Sequence, residues 1–394
     1  MKRTLATVAV VILLLGIGVA IYFLFFAKPS VTTAPGTGLP IAGQGTPQPG
    51  ETTGGPNTPN TPETISPRLV KISSGPVALG EVVVTKAGNA STSAETAVSY
   101  VERQSGNIFV YSSKTKTTTR TSNKTIPGIQ SASWLPNASL AFVRYLSGSD
   151  FSTINTYALP ASGSGGFFLS QNLSDIAVSS TSVLTLVSGV NGSIGSLVRT
   201  DGTHASQVFT TPLSAVRVSF AGKNQYLMYP KPASTLLGDI FLVDSAGTFS
   251  RVFGPQTGLS ALASPSGKWV LVSYTSSNTL QMALVNTTTN EILSLPVASM
   301  TEKCVWTNDD SAIYCGIPVD PPSGTYPDDW YQGVIHFSDR IWKIQVSGRY
   351  AQLVLDFTKE TETSLDAEAL AIDPLNSMLV FVNKNDLSLW GYSL

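Results

Sequence analysis

The sequence predicts an all-β fold made of repeated four-stranded units, on the strength of three observations. Apolar runs are short, mostly about four to seven residues, and they alternate with polar residues, as is typical of strands. Turns near residues 137, 180, 222, 266 and 309 recur at about 43 residues, which is the period of a four-stranded blade. Ser, Thr, Gly and Asn are abundant, and these residues favour turns. Together the three features predict a β-propeller.

The clearest repeat is LSALASPSGKWVLVSYTSSNTLQMALVNTTTNEILSL, at residues 259–295. It reads as four short strands with a tight turn at Ser264–Gly267. Related strand–turn–strand segments recur at 131–145, 175–189, 216–230, 303–317 and 368–383. Each unit has two apolar faces, so it must pack between neighbouring units to bury them. The number of residues from Pro76 to the C-terminus, divided by the repeat length, predicts about seven blades.

The N-terminal residues 1–28 are predicted to be a transmembrane anchor. Lys2 and Arg3 precede an uncharged run, Thr4–Phe26, that spans about 34 Å as a helix, enough to cross a hydrocarbon core of about 30 Å. The two positive residues favour a cytoplasmic N-terminus, which places the rest of the chain outside the cell membrane. The alternative is a cleaved signal peptide, but the run is long and no small-residue cleavage site follows it.

Residues 29–66 join this anchor to the propeller domain, which we place at 67–394. They are rich in Pro, Thr and Gly, and such a segment cannot bury enough apolar surface to fold. We therefore expect a disordered or semi-extended stalk that holds the propeller off the membrane.

The two ends of the propeller domain are predicted to close the ring together. The last unit has strands near 368–373, 378–383 and 387–393, and then the chain stops before a fourth strand. Arg68–Ile72 reads as a strand without a unit of its own. We expect it to complete the last blade, because an unpaired edge strand would otherwise be left open.

The turn Ser264–Gly267 with Lys268, followed by an apolar strand, resembles the repeat turn of TolB-type and WD-like propellers. Trp134–Asn137 and Asp373–Asn376 are looser copies of the same turn. The resemblance covers the repeat region and implies the propeller fold, and it carries no information on activity.

Cys304 and Cys315 flank a predicted hairpin and are the two cysteines of the chain. With the turn centred on Asn308–Ser311, they lie directly opposite each other on antiparallel strands. That geometry brings two Cα atoms within disulfide reach, and an extracytoplasmic position would keep the bond oxidised. We predict a disulfide; the alternative is a pair of small buried thiols.

The segment Pro318–Asp339 is predicted to be an insertion between the second and third strands of the sixth blade, and it is the candidate binding site. Long loops in compact repeats usually carry function or act as lids. Aromatic and acidic groups of the kind used by peptide and glycan sites concentrate here, namely Tyr326, Asp328, Asp329, Trp330 and Tyr331. The alternative is that the rings plug the central channel or cover a neighbouring blade.

Catalytic and metal-binding motifs are absent from the sequence. The chain contains two histidines, of which His204 follows a turn and His336 lies between apolar residues, where we expect it to be packed. No zinc-protease, nucleophile-elbow or nucleotide-binding motif occurs, so we expect no cofactor, metal or catalytic residue. Charged residues are 12% of the chain and the net charge is −1, which argues against nucleic acid as a partner.

Two hypotheses for function follow from these features. The first is a non-enzymatic binding or scaffold protein of the cell envelope, with a protein, peptide or glycan as partner. The alternative is an extracytoplasmic hydrolase or lyase acting on glycans or peptides, with carboxylates that converge in the central channel.

Overall fold

A computed structural model describes residues 67–86, 88 and 94–394. The predicted anchor at 1–28 and the predicted stalk at 29–66 lie outside the described residues. Within the described residues, no helix is long and apolar enough to span a bilayer.

The first described strand is β1 (Leu69–Lys71), and three four-stranded sheets follow it. Their strands are β2 (Val82–Lys86), β3 (Glu95–Val101), β4 (Ile108–Ser112) and β5 (Thr118–Arg120); β6 (Ile129–Trp134), β7 (Leu140–Ser147), β8 (Thr153–Pro160) and β9 (Phe167–Phe168); and β10 (Leu173–Val178), β11 (Ser182–Gly189), β12 (Gly192–Arg199) and β13 (Ser206–Thr211).

A seven-stranded sheet comes next in the chain. Its strands are β14 (Val216–Phe220), β15 (Gln225–Pro230), β16 (Leu237–Asp244), β17 (Phe249–Ala263), β18 (Trp269–Ser276), β19 (Thr279–Asn286) and β20 (Ile292–Ser294). The 15-residue β17 pairs with β16 along its first part and with β18 along its second part. It is therefore the outermost strand of one four-stranded unit and the innermost strand of the next.

Two more four-stranded sheets complete the domain. Their strands are β21 (Cys304–Trp306), β22 (Ala312–Pro318), β23 (Asp339–Gln345) and β24 (Ala351–Asp356), and β25 (Ala367–Ile372), β26 (Met378–Asn383) and β27 (Ser388–Ser393), to which β1 is added. The helical segments are short: a 3-10 turn at Thr301–Lys303, α1 (Asp328–Tyr331) and α2 (Phe357–Thr361).

The pattern of burial explains why the strands stack in this way. The middle strands of each unit are apolar on both faces; in β26, all six residues from Met378 to Asn383 are buried. Four of the outermost strands, β1, β5, β9 and β20, have only two or three residues, and the three residues of β5 are all exposed. Short polar outer strands protect a sheet edge from unwanted pairing, while the middle strands require a neighbour on either side.

Apolar clusters join each unit to the next around a closed ring. Pairs that share such a cluster across successive units are Ile108 with Val143, Phe142 with Leu173, Leu184 with Val216, Leu227 with Val270, Leu284 with Ile313, and Ile341 with Leu379. The last unit packs on the first through Val380 and Val98. The described domain is therefore a ring of antiparallel sheets, as the repeat predicts.

The predicted closure by the N-terminal strand is confirmed. β1 pairs antiparallel with β27, with Leu69 opposite Tyr392 and Lys71 opposite Trp390. The Arg68 guanidinium Nε donates a hydrogen bond to the Ser393 carbonyl at 2.9 Å. The last sheet thus gains its fourth strand from the other end of the chain.

The predicted disulfide is also present. Cys304 in β21 and Cys315 in β22 are register partners, and their sulfur atoms are bonded. Both residues are buried in the interface between the fifth and sixth units, in the cluster that contains Leu284 and Ile313.

The loops between second and third strands open on one face of the ring, which we call the insertion face. In the described part of the chain these are residues 102–107, 148–152, 190–191, 231–236, 277–278, 319–338 and 384–387. The loops following Leu146 and Pro230 therefore share this face with the insertion. Because third strands run away from this face, Ser393 at the end of β27 lies at the opposite face, and Arg68 enters the domain beside it.

Candidate functional site

The insertion is the longest of the loops on this face in the described part of the chain. It begins and ends at Pro318 and Asp339, which are register partners in β22 and β23. The Val319 N–H donates to the Ser338 carbonyl at 2.8 Å and continues the ladder by one step. Residues 319–338 then cross the ring interior and contain the short helix α1.

The Trp330 side chain of the insertion is buried, with 1% of its surface exposed. Its indole N–H donates to the two carboxylate oxygens of Asp366 at 3.0 and 3.3 Å. The Lys384 ammonium lies 4.2 Å from the ring centroid, and Phe337 stacks on the ring with centroids 6.3 Å apart. Trp330 therefore packs inside the domain, which is the orientation expected under the alternative that the rings plug the channel or cover a neighbouring blade.

Three further residues of the predicted site hold the insertion in place. Tyr326 is buried against Phe337, and its hydroxyl donates to the Pro322 carbonyl within the same loop. Asp328 accepts a hydrogen bond from the Ser234 N–H at 2.7 Å, which ties α1 to the loop between β15 and β16. The carboxylate of Asp329 accepts one from the Thr325 N–H, also at 2.7 Å.

Tyr331 is the predicted site residue that remains open, with 38% of its surface exposed. Its hydroxyl donates to a carboxylate oxygen of Glu302, a residue of the 3-10 turn Thr301–Lys303. Burial of the hydroxyl end and the Glu302 carboxylate raise the pKa of Tyr331 well above its ordinary value. The phenol is therefore a neutral donor at physiological pH, beside an exposed ring edge.

A buried ion cluster lies below Trp330. Lys303 is completely buried, and its ammonium contacts the carboxylates of Asp339, at 2.7 Å, and Asp366. It also donates to the Ala367 carbonyl at 2.9 Å. Asp366 accepts from the Phe337 N–H at 2.9 Å as well, so the cluster joins the sixth unit, the last unit and the insertion.

The charges of this cluster do not cancel. Burial opposes the charge of Lys303, but the carboxylates of Asp339 and Asp366 outweigh it and raise the lysine pKa. Burial raises the pKa of Asp339 to about 6, and the Asp366 charge adds to that shift while Lys303 opposes it. One ammonium thus faces two carboxylates, and the raised pKa makes Asp339 easier to protonate than a solvent-exposed aspartate.

A more open polar group surrounds Glu302 on the insertion face. Arg217, whose side chain is 47% exposed, lies 3.5 Å from Asp175, which also accepts a hydrogen bond from the Val218 N–H at 3.0 Å. Ser260 contacts Glu302 at 3.4 Å. Burial opposes the Arg217 charge, but surrounding acidic groups that include Asp175 and Glu302 raise its pKa. Tyr331, Glu302 and Arg217 therefore form a donor and acceptor set at the surface.

A second acidic pair lies where the last unit meets the first. Glu81 is buried, and neither carboxylate oxygen has a hydrogen-bond partner on another residue. Burial, reinforced by the nearby Glu368, raises the pKa of Glu81 well above its ordinary value. Burial likewise raises the pKa of Glu368, although Lys384 lies 3.6 Å from its carboxylate and opposes the shift.

The histidines fall outside these groups or at their margin. His204 is exposed in a turn. His336 is also exposed, with its Nδ1 atom 3.9 Å from Asp366, so the expectation that it is packed is wrong. Across residues 67–86, 88 and 94–394, no three His, Cys, Asp or Glu side chains converge on a point suited to a metal ion.

Sequence reasoning missed the charged residues of the ring interior, although a signal for them exists. Glu81, Asp175, Arg217, Lys303 and Glu368 each lie at or next to the start of an innermost strand. The innermost strands all begin on the same face of the ring. A charged residue that recurs at the start of successive innermost strands therefore marks the rim of the central channel.

Comparison with known proteins identifies the fold and no family. No protein-family model matches the chain, and no curated protein matches it. An oligogalacturonate lyase from Vibrio parahaemolyticus aligns over 84% of this chain and 94% of its own, with 9% identity and a TM-score of 0.56. The β-propeller domain of the Trilobed protease from Pyrococcus furiosus aligns over 80% and 93%, with 9% identity and a TM-score of 0.51.

TolB from Acinetobacter baumannii aligns over 65% of this chain and 62% of its own, with 13% identity and a TM-score of 0.45, a likeness too distant to carry weight. The two stronger alignments cover most of each chain at low identity. They agree with the ring of sheets described above, and together these observations establish a β-propeller-type fold.

Proposed function

We propose that this chain is a membrane-anchored, extracytoplasmic β-propeller of seven blades that serves as a non-enzymatic binding or scaffold module. Its partner is a protein, peptide or glycan of the cell envelope. The blade number follows when the seven-stranded sheet is counted as two blades that share β17. The anchor and the location rest on the sequence of residues 1–28.

The observation that carries this proposal is the set of exposed apolar side chains on the insertion face. Phe151, Val190 and Leu236 are 67%, 101% and 69% exposed, and each lies in a loop between a second and a third strand. Exposed apolar groups that gather on one surface of a folded domain usually mark an interaction site. Here they project from three successive units, on the face that also carries the insertion and Tyr331.

The arrangement of the central carboxylates supports binding rather than catalysis. Asp339 and Asp366 lie close together, as a pair of glycosidase carboxylates must. Both are fully buried, however, and both contact the Lys303 ammonium. A substrate would have to displace Trp330 and the insertion to reach them.

A partner-capture experiment with matched variants tests the binding function. The full-length chain is cross-linked in its native membrane as wild type, as Val190→Asp and as Leu375→Asp. Leu375 is a control because it is 65% exposed in a turn at the opposite face. We expect one partner that wild type and Leu375→Asp retain and Val190→Asp loses. The same set of partners in all three samples would contradict the proposal.

Protease accessibility tests the proposed topology. In intact spheroplasts, added protease should degrade the propeller of the full-length chain and leave a cytoplasmic marker protein whole. A propeller that survives until the membrane is permeabilised would place it on the cytoplasmic side and refute this part of the proposal.

A hydrolase or lyase acting on glycans or peptides is the second candidate, and the pair Glu81 and Glu368 favours it. Carboxyl groups with a raised pKa can donate protons at neutral pH. The structural likeness to an oligogalacturonate lyase makes oligogalacturonate the first substrate to try. Turnover that Glu81→Gln abolishes would support this candidate, and turnover unaffected by Glu81→Gln would exclude this carboxyl pair as its centre.

A further inference from the structure

An apolar groove runs between the third and fourth units on the insertion face. A cavity of about 460 Å³ has Met228, Phe241 and Phe249 among its lining residues. A second cavity of about 260 Å³ shares Leu213, Pro230 and Leu237 with it, so the two are continuous. Leu237 is 68% exposed at the junction. The groove volume falls within the range of about 300–1,000 Å³ typical of small ligand sites, so it fits a few side chains rather than a folded domain.

One wall of the groove is an open strand edge. Thr210 and Thr211 belong to β13, the outermost strand of its sheet, and both line the larger cavity. In the described part of the chain, β13 pairs with β12 alone. β13 has six residues, as does the outermost strand β24, whereas β5, β9 and β20 have two or three. Its outward backbone groups can therefore pair with an added extended segment.

The charges at the groove favour an acidic group on that segment. Lys231 is exposed and lines the smaller cavity. No carboxylate of the described residues lies within ion-pair distance of it. Asp239, at the larger cavity, is already paired with the Arg251 guanidinium at 2.7 Å. The uncompensated charge at the groove is thus positive.

We propose that this groove binds an extended segment of a partner protein. The segment pairs with β13, inserts two alternate apolar side chains toward Met228, Phe241 and Phe249, and presents an acidic residue to Lys231. Side chains two residues apart on a strand point to the same side, which matches two anchors in one continuous groove. The inference rests on the proposed binding function and names the class of its partner.

Other occupants fit less well. Arg68 lies at the face opposite the insertion face, on the last unit, which is across the ring from the third and fourth units. A second copy would have to pair β13 with β13 in antiparallel fashion, because two identical edges do not match in parallel. That pairing turns the insertion faces of the two copies in opposite directions, which does not suit two copies anchored by the same end in one membrane.

A random peptide library of 12 residues, panned on the full-length chain in lipid nanodiscs, tests the groove. Empty nanodiscs serve for counter-selection. We expect the selected peptides to carry alternate apolar residues next to an acidic residue and to protect the amides of residues 206–211 from hydrogen exchange. Failure to enrich such peptides, or protection confined to other strands, would overturn the inference.

Three variants sharpen the test with the best selected peptide. Leu237→Asp should weaken its binding at least tenfold, and Lys231→Glu should weaken it at least threefold, since both side chains border the groove. The control Leu375→Asp should leave affinity unchanged. Equal affinity in all variants would refute the inference, as would a dimer of the free chain that Leu237→Asp dissolves. A natural partner lost in Val190→Asp but retained in Leu237→Asp would leave the proposed function standing without the groove.

Discussion

Trp330→Ala should destabilise the domain by about 3–5 kcal/mol, the usual cost of truncating a fully buried tryptophan. The ring is 1% exposed and packs against Phe337 and the Lys384 ammonium. Its removal leaves a cavity beside the cluster of Lys303, Asp339 and Asp366, and it also removes the indole N–H that donates to Asp366. A hydrogen bond to a charged group is worth about 1.5–3 kcal/mol, so the upper part of the range is the expectation.

Thermal unfolding and urea titration of the purified protein measure this effect. The entropy of unfolding is about 2.1 cal/mol/K per residue, or about 0.7 kcal/mol/K for a domain of about 330 residues, so a loss of 3–5 kcal/mol should lower the melting temperature by about 4–7 °C. Trp330→Phe retains an aromatic ring and loses the donor, so it should fall between wild type and Trp330→Ala. Tyr331→Ala is the comparison in the same helix: its partly exposed ring leaves no closed cavity, so the variant should lose only the hydrogen bond to the Glu302 carboxylate, about 1.5–3 kcal/mol, and should be less destabilised than Trp330→Ala.

The two possible roles of the insertion predict different outcomes for Trp330→Ala. If the ring were a surface anchor for a partner, the variant would lose affinity and keep its stability. The burial of the ring predicts a loss of stability instead. A melting temperature within 2 °C of wild type would refute the reasoning from burial and restore Trp330 as a candidate contact residue.

Three further predictions concern the buried cluster, the closure and the disulfide. The folded-state pKa of Asp339, about 6, lies above its ordinary value. The contribution of Asp339 to the free energy of unfolding is therefore full below about pH 4 and is lost as the pH rises through 6. Urea titrations at pH 5 and 7.5 should show this dependence in wild type and not in Asp339→Asn. Deleting residues 67–74 should expose the edge of β27 and promote aggregation on heating, whereas deleting 32–60 should not; equal melting temperatures for the two deletions would contradict closure by β1. Reduction of Cys304–Cys315 should lower the free energy of unfolding by about 2–3 kcal/mol, and a Cys304→Ser, Cys315→Ser double variant should lack any response to reductant.

Much of the fold was predictable because its determinants are local. Residues 259–295 contain a complete repeat, and strand pairing inside a repeat joins residues that are close in the chain. The Cys304–Cys315 pair followed from the length of one hairpin. The closure by β1 joins strands that are far apart in the chain, unlike the other pairings. It was nevertheless predictable, because the last unit has three strands of its own and Arg68–Ile72 is a strand without a unit.

The position of the insertion was predictable from the sequence, and the orientation of its side chains was not. Pro318–Asp339 does lie between the second and third strands of its unit, on the same face as the loops after Leu146 and Pro230. The sequence of a long loop does not show whether an aromatic side chain points to solvent or into the propeller. The sequence therefore left open the orientation of Trp330, and its alternative of a packed ring is what the structure contains.

The sequence by itself determined the repeat, the strands and the hairpin disulfide, since each depends on periodicity and short-range pairing. Tertiary structure alone decided that Lys303 meets Asp339 and Asp366, which lie 36 and 63 residues further along the chain. It also decided that Tyr331 reaches Glu302, and that Leu213 and Leu237 border one groove. These contacts arise because the innermost strands of successive units begin at one face around a common centre, so residues distant in the chain become neighbours only when the ring has closed.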